Sequence, residues 1–113
     1  MPNDAVTTAV RSVRFDKAAQ PDEGKRMTSR TWYASPNGSF RTGFWSAQPA
    51  RSEIAYTKDE LCTLLEGEVR LTDETGHSET YVAGDTFVIP KGFKGVWETV
   101  KPVRKFFAVY EGS

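Results

Sequence analysis

The chain has 113 residues, enough to bury one core and too few for two independent ones. Its fifteen basic and fifteen acidic residues cancel, so no broad field exists to draw nucleic acid or an anionic membrane, and neither is expected as a partner. No stretch approaches the roughly 20 consecutive apolar residues of a membrane-crossing helix.

In chain order, the first thirty residues are polar and read as a partly flexible arm, with Pro21 and Gly24 as breaks and one short helical turn predicted between Val10 and Ala19. Within "MPNDAVTTAVRSVRF" the apolar positions are interrupted by Asn3, Asp4, Thr7, Thr8 and Arg11, which leaves no continuous apolar segment of the secretory kind. The single cysteine, Cys62, forms no disulfide within the chain and suits a reducing compartment, so the cytoplasm is the expected location.

Residues 31–113 then read almost throughout as strand. The runs "TWYAS", "SFRTGFWSAQ", "SEIAYT", "ELCTLLEGEVRLTD", "ETYVAG", "DTFVIP", "GVWETV" and "VRKFFAVYE" are rich in aromatic and β-branched residues. Gly, Pro, Asn or Asp bounds nearly all of them. About eight short strands at regular spacing, with no competing helical period, predict one all-β barrel or sandwich, because closure or layering removes exposed sheet edges. "DETG", ending at Gly76, predicts a hairpin turn, and "GDTFVIP" predicts a turn entering a buried strand that Pro90 stops.

These turns carry a resemblance. Glu60, six intervening residues and Gly67 in "ELCTLLEG" resemble the closing half of the first cupin motif; Gly84, five residues, Pro90, one residue and Gly92 resemble the opening half of the second. From Phe40 to Tyr110 the wording is similar to that of the short single-domain cupins related to (S)-ureidoglycine aminohydrolase and to the ethanolamine-utilisation cupin domain. The resemblance implies a small jelly-roll barrel behind a polar N-terminal arm, a functional cavity in the barrel mouth and pairing into a homodimer, which aromatic-rich early strands such as "TWYAS" also favour.

It further implies a metal held by two histidines and a glutamate from the first motif and a histidine from the second. Of that set only Glu60 is present. The first-motif histidine places fall on Glu53 and Ala55, or on Ile54 and Tyr56 in a register one shorter; the second-motif place falls on Gly95, and Ala47 stands where a glycine should open the pattern. The only histidine, His77, follows the turn glycine and reads as a solvated turn residue. Without imidazole, a transition metal loses its usual ligands, so no tightly bound cofactor is expected. A divalent metal could still be held weakly by Glu53 and Glu60.

Strand alternation supplies the candidate site. Starting from Glu60 it puts Cys62 on the same face, and along "VRKFFAV" it puts Lys105 among Val103, Phe107 and Val109. A lysine on an apolar face either snorkels at the rim or is buried against a carboxylate, most simply Glu60; buried, it could have a lowered pKa and act as a base. Glu60 and Lys105 are therefore the catalytic candidates, and Tyr56, Cys62 and Trp97 the ligand-binding ones. Each has a plainer reading: Cys62 as a small buried hydrophobe, Trp97 as core rather than as an indole filling a former metal cavity, and only one of Tyr56 and Glu53 pointing inward. Arg104, on the opposite face, is expected to meet solvent or a partner chain. The leading expectation is a small cytoplasmic cupin that binds a small polar metabolite in its barrel. A metal-assisted hydrolase or aminohydrolase of a ureido or amino compound, and a non-catalytic sensor or accessory protein, stand behind it.

Overall fold

A computed structural model describes residues 9–112; the opening of the arm, including "MPNDAVTT", and Ser113 lie outside the described residues. Seven strands make up the fold: β1 (Met27–Ala34), β2 (Phe40–Ala47), β3 (Ala50–Ala55), β4 (Asp59–Asp73), β5 (Ser78–Val82), β6 (Thr86–Ile89) and β7 (Lys94–Tyr110). Among the described residues there is no helix, so none is long and apolar enough to cross a membrane.

All pairings are antiparallel, and two long strands run through both layers of the jelly roll. The first half of β4 and the second half of β7 lie together between β6 and β2, with β1 outside β2; their other halves lie together between β5 and β3. The runs "GVWETV" and "VRKFFAVYE", expected as separate strands, are one, because Pro102 sits where the ladder is already irregular and costs no regular hydrogen bond.

The corner between layers is built at Gly67. Its φ is +96°, and a Cβ there would stand 2.2 Å from the Pro102 carbonyl oxygen, so only glycine lets β7 approach. Register shifts between Leu64 and Val69 reverse the alternation: Glu60, Cys62 and Leu64 are buried before the corner, Val69 and Leu71 after it. The barrel core combines Cys62, Leu64, Val69, Leu71, Phe87, Ile89, Trp97 and Val103. At the β4–β5 hairpin, Asp73 accepts from the backbone and hydroxyl of Thr75 and from the His77 backbone, with Gly76 at φ +90°. The His77 side chain is exposed and meets Glu79, as a turn residue should.

The arm differs from expectation. In place of a helical turn between Val10 and Ala19 there is an isolated turn at Lys17 and Ala18, closed by the Ala19 N–H on the Asp16 carbonyl at 3.2 Å. β1 takes up residues 27–30, ahead of the expected boundary at Arg30. The arm also lies on the outside of the β1–β2–β7 layer. Phe15 makes edge-on contacts with Trp32 and Phe106, at 5.0 and 4.9 Å between ring centroids, and Ala19 is buried. Arg104 keeps partial exposure to solvent, and its guanidinium donates to the Lys17 and Ala19 carbonyls and to Glu66, pinning the arm in place.

Candidate functional site

Inside the barrel mouth is a cavity of about 380 Å³. Its floor is a buried polar cluster. Lys105 on β7 faces Trp45 on β2 and Leu64 on β4 across the ladder, and its side chain extends along the strand past Cys62 to Glu60, four residues up β4. Nζ donates to Glu60 Oε2 at 2.7 Å and to Cys62 Sγ at 3.4 Å, while the Cys62 thiol donates to the same carboxylate oxygen at 3.1 Å. The other oxygen, Oε1, accepts the Tyr56 hydroxyl at 2.9 Å. Tyr56 lies between β3 and β4, where its backbone is clamped by a bond to Phe93 O and another from Gly92 N, each 2.8 Å. The Lys105 ammonium lies over two indoles, 4.5 Å from the Trp97 ring centroid and 4.9 Å from that of Trp45.

Those contacts set the charge states. Only 4% of Lys105 and 7% of Glu60 is exposed. Burial pushes the Glu60 carboxyl up, but the Lys105 charge and the bonds from Lys105, Cys62 and Tyr56 outweigh it and hold the group below its ordinary value. Burial likewise opposes the Lys105 charge, and the Cys62 sulfur and the Glu60 carboxylate beside it more than offset that, so its pKa is raised. A lysine with a lowered pKa, acting as a base, is not what the barrel holds. Burial, against a lesser pull from Lys105, pushes the Cys62 thiol up to about 12, so at neutral pH it is a protonated, inert group. Tyr56 is raised by burial and by the adjacent carboxylate.

Glu60, Lys105, Tyr56, Cys62 and Trp97 are thus brought into one cluster. Trp97 both belongs to the core and lines the cavity, its Nε1–H donating to Thr99 Oγ1 at 2.9 Å. Glu53 does not join them: Ser52 and Ile54 line the cavity, and Glu53, between them, is exposed on the outside of β3. The pair Glu53 and Glu60 is therefore not assembled as a metal site. Gly95 also lies off the cavity, and a Cβ there would stand 1.9 Å from the Thr72 carbonyl oxygen. An imidazole has no room at that position, and the Trp97 indole lines the cavity together with Glu60 and Lys105.

Sequence reasoning missed several cavity residues. Trp45, packed edge-on against Trp97 at 5.6 Å, completes the floor; Arg41 and Lys58 put cations on the wall, and Ser29, Thr31 and Ser52 contribute hydroxyls. Alternation along "RTGFWSA" groups Arg41, Gly43, Trp45 and Ala47 and was the available signal. Gly43 belongs to this face because a Cβ would stand 1.9 Å from the Arg30 carbonyl oxygen and 2.9 Å from the Phe107 ring.

The donor set does not fit the metal that the fold implies. Among the described residues no three His, Cys, Asp or Glu side chains converge, and the one carboxylate in the cavity already accepts an ammonium, a thiol and a phenol. A metal at Glu60 would have to displace a positive charge 2.7 Å away.

Comparisons with known proteins agree with this architecture. The family model described as the EutQ-like cupin domain matches residues 34–107. No curated protein sequence matches the chain. Among solved structures, a protein described as ethanolamine utilization protein Q from Salmonella typhimurium LT2 is 24% identical with a TM-score of 0.69, over 89% of this chain and 80% of that one. A DUF861-family protein from Pseudomonas syringae pv. tomato DC3000 is 28% identical with a TM-score of 0.73, over 84% of this chain and 46% of that one. Another DUF861-family protein, from Thermotoga maritima, is 33% identical with a TM-score of 0.55, over 57% of this chain and 73% of that one. With a family model covering most of the barrel and the same jelly roll in these structures, the chain belongs to the EutQ-like cupin domain family.

Proposed function

We propose that the protein is a small cytoplasmic cupin that binds a small organic anion in its barrel mouth without a metal. The observation that carries this reading is the charge of the cavity wall: Arg41, Lys58 and Lys105 against Glu60 alone. Lys105 and Glu60 neutralise each other, and Arg41 shares Glu111, leaving Lys58 with no carboxylate partner among the described residues. A volume of about 380 Å³ is within the range of small-molecule sites, and Trp45, Ile54, Phe107 and Val109 offer an apolar wall to the body of such a ligand. Glu60 and Lys105 belong to the floor of this binding site. Both are charged at neutral pH and bonded to each other, which supports positioning in preference to proton transfer.

The test is a thermal-shift and calorimetric comparison of butyrate and benzoate with butyramide and benzamide, which match their shape without the charge. The carboxylates should raise the melting temperature and the amides should not; Lys58→Ala should remove most of that response, and Trp45→Ala should weaken it. Equal responses to acid and amide, or none to either, would overturn the reading. Near-stoichiometric transition metal on the purified protein, lost on Glu60→Ala, would instead support a metal-assisted hydrolase.

A further inference from the structure

The surroundings of Lys105 Nζ form a cation receptor in their own right. Two indole faces at 4.5 and 4.9 Å supply the negative lobes of aromatic rings, a carboxylate oxygen at 2.7 Å supplies full charge, and a thiol sulfur at 3.4 Å accepts a further bond. Indole faces do not ligate hard divalent ions, which need several oxygens. The two bonds, to Glu60 Oε2 and Cys62 Sγ, require N–H donors, which a quaternary ammonium or an alkali ion lacks. The chemistry therefore fits an alkylammonium that keeps at least two N–H donors, as the primary ammonium of Lys105 does.

We infer that the pocket between Trp45, Trp97, Glu60 and Cys62 is an alkylammonium site that the chain keeps loaded with its own Lys105. The resident charge arrives on a tether, so the barrel holds a permanent cation at Glu60 that neither dissociates nor depends on supply. This inference is independent of the ligand proposed for the outer cavity. It depends on the floor alone.

Lys105→Ala leaves a void the size of the missing chain beyond Cβ, which is propylammonium. Added propylammonium should raise the melting temperature of Lys105→Ala in a concentration-dependent, saturating way, and should blue-shift tryptophan emission as Trp45 and Trp97 regain their partner. Wild type and Lys105→Met, whose pockets are filled, should not respond. Tetramethylammonium and sodium should fail on Lys105→Ala for want of N–H donors, and Lys105→Ala combined with Glu60→Gln should lose the propylammonium response. If Lys105→Ala does not stay folded alone, the readout is the yield of soluble protein refolded from denaturant with and without propylammonium. Absence of both the thermal and the refolding response, an equal response to tetramethylammonium, or stabilisation by Zn²⁺ or Mn²⁺ alone would overturn the inference.

Discussion

Lys105 and Glu60 are each costly to bury, and each is tolerable only because of the other. Replacing Lys105 by Met leaves a carboxylate among Tyr56, Cys62 and two indoles, and Glu60→Gln leaves an ammonium without its counter-charge; each should cost about 3–5 kcal/mol in denaturant unfolding. The double variant should recover part of that loss, because no uncompensated charge remains. In wild type, the depressed Glu60 pKa gives stability that is present above its ordinary value of 4.5 and lost as pH falls through the lower folded value. The raised Lys105 pKa gives stability that is complete below its ordinary 10.5 and lost as pH rises through the higher folded value. The pair should thus contribute a plateau between those limits, and Lys105→Met should invert the acid side, losing stability as pH rises and the unpaired Glu60 is forced to ionise. Unfolding midpoints measured across pH check this, and a Lys105→Met profile parallel to that of wild type would show that the pair carries no such linkage.

At the scale of elements, the arm is a strap held by the Phe15 ring, by bonds from Arg104 to the Lys17 and Ala19 carbonyls and from Arg30 to the Gln20 carbonyl, and by Asp22, which pairs with Arg30 and donates its N–H to Thr28 Oγ1. Phe15→Ala should cost about 1–2 kcal/mol through its two edge-on ring contacts and shift the Trp32 emission to the red. Benzoate binding should be unchanged, since the arm covers the face opposite the cavity; a change in affinity would tie the strap to the site. The same element explains what the sequence concealed. Phe44 and Trp45 are adjacent large aromatics, so β2 reads as buried on both faces, and without the strap nothing says which ring lines the barrel. Lys105 was legible because it alone interrupts an apolar face, and Glu60 and Cys62 because their alternation is regular up to Leu64. Beyond Leu64 the corner at Gly67 reverses the pattern, a shift that needs the Pro102 carbonyl from a distant strand and so leaves no local mark. Lys58 and the β1 hydroxyls were hidden for a related reason: they come from a loop and from a strand whose start resembles the polar arm.

For the whole molecule, what matters is that β4 and β7 belong to both layers while β1, β3, β5 and β6 each pair on one side only. The turn signals announced the barrel but not this sharing, because two strands joined through an irregular Pro102 look separate in sequence. One layer cannot be lost while the other stays, so unfolding should be a single cooperative transition. The shared strands also divide the backbone amides into two kinetic populations. Amides in the β4–β7 ladder exchange with solvent only when the entire barrel opens, whereas those of the arm and the edge strands escape through local openings. A carboxylate bound only by the folded barrel adds its full linkage energy to global opening and nothing to a local opening that leaves the cavity intact. Hydrogen exchange followed by mass spectrometry should therefore show β4 and β7 slowing along their whole lengths on benzoate binding, including amides of β4 beyond the corner at Gly67, such as Arg70, which do not line the cavity, while β5 and the arm keep their free rates. Slowing confined to residues beside the cavity would mean that the two long strands open piecewise, and that the barrel is less of a single body than its hydrogen-bond ladder implies.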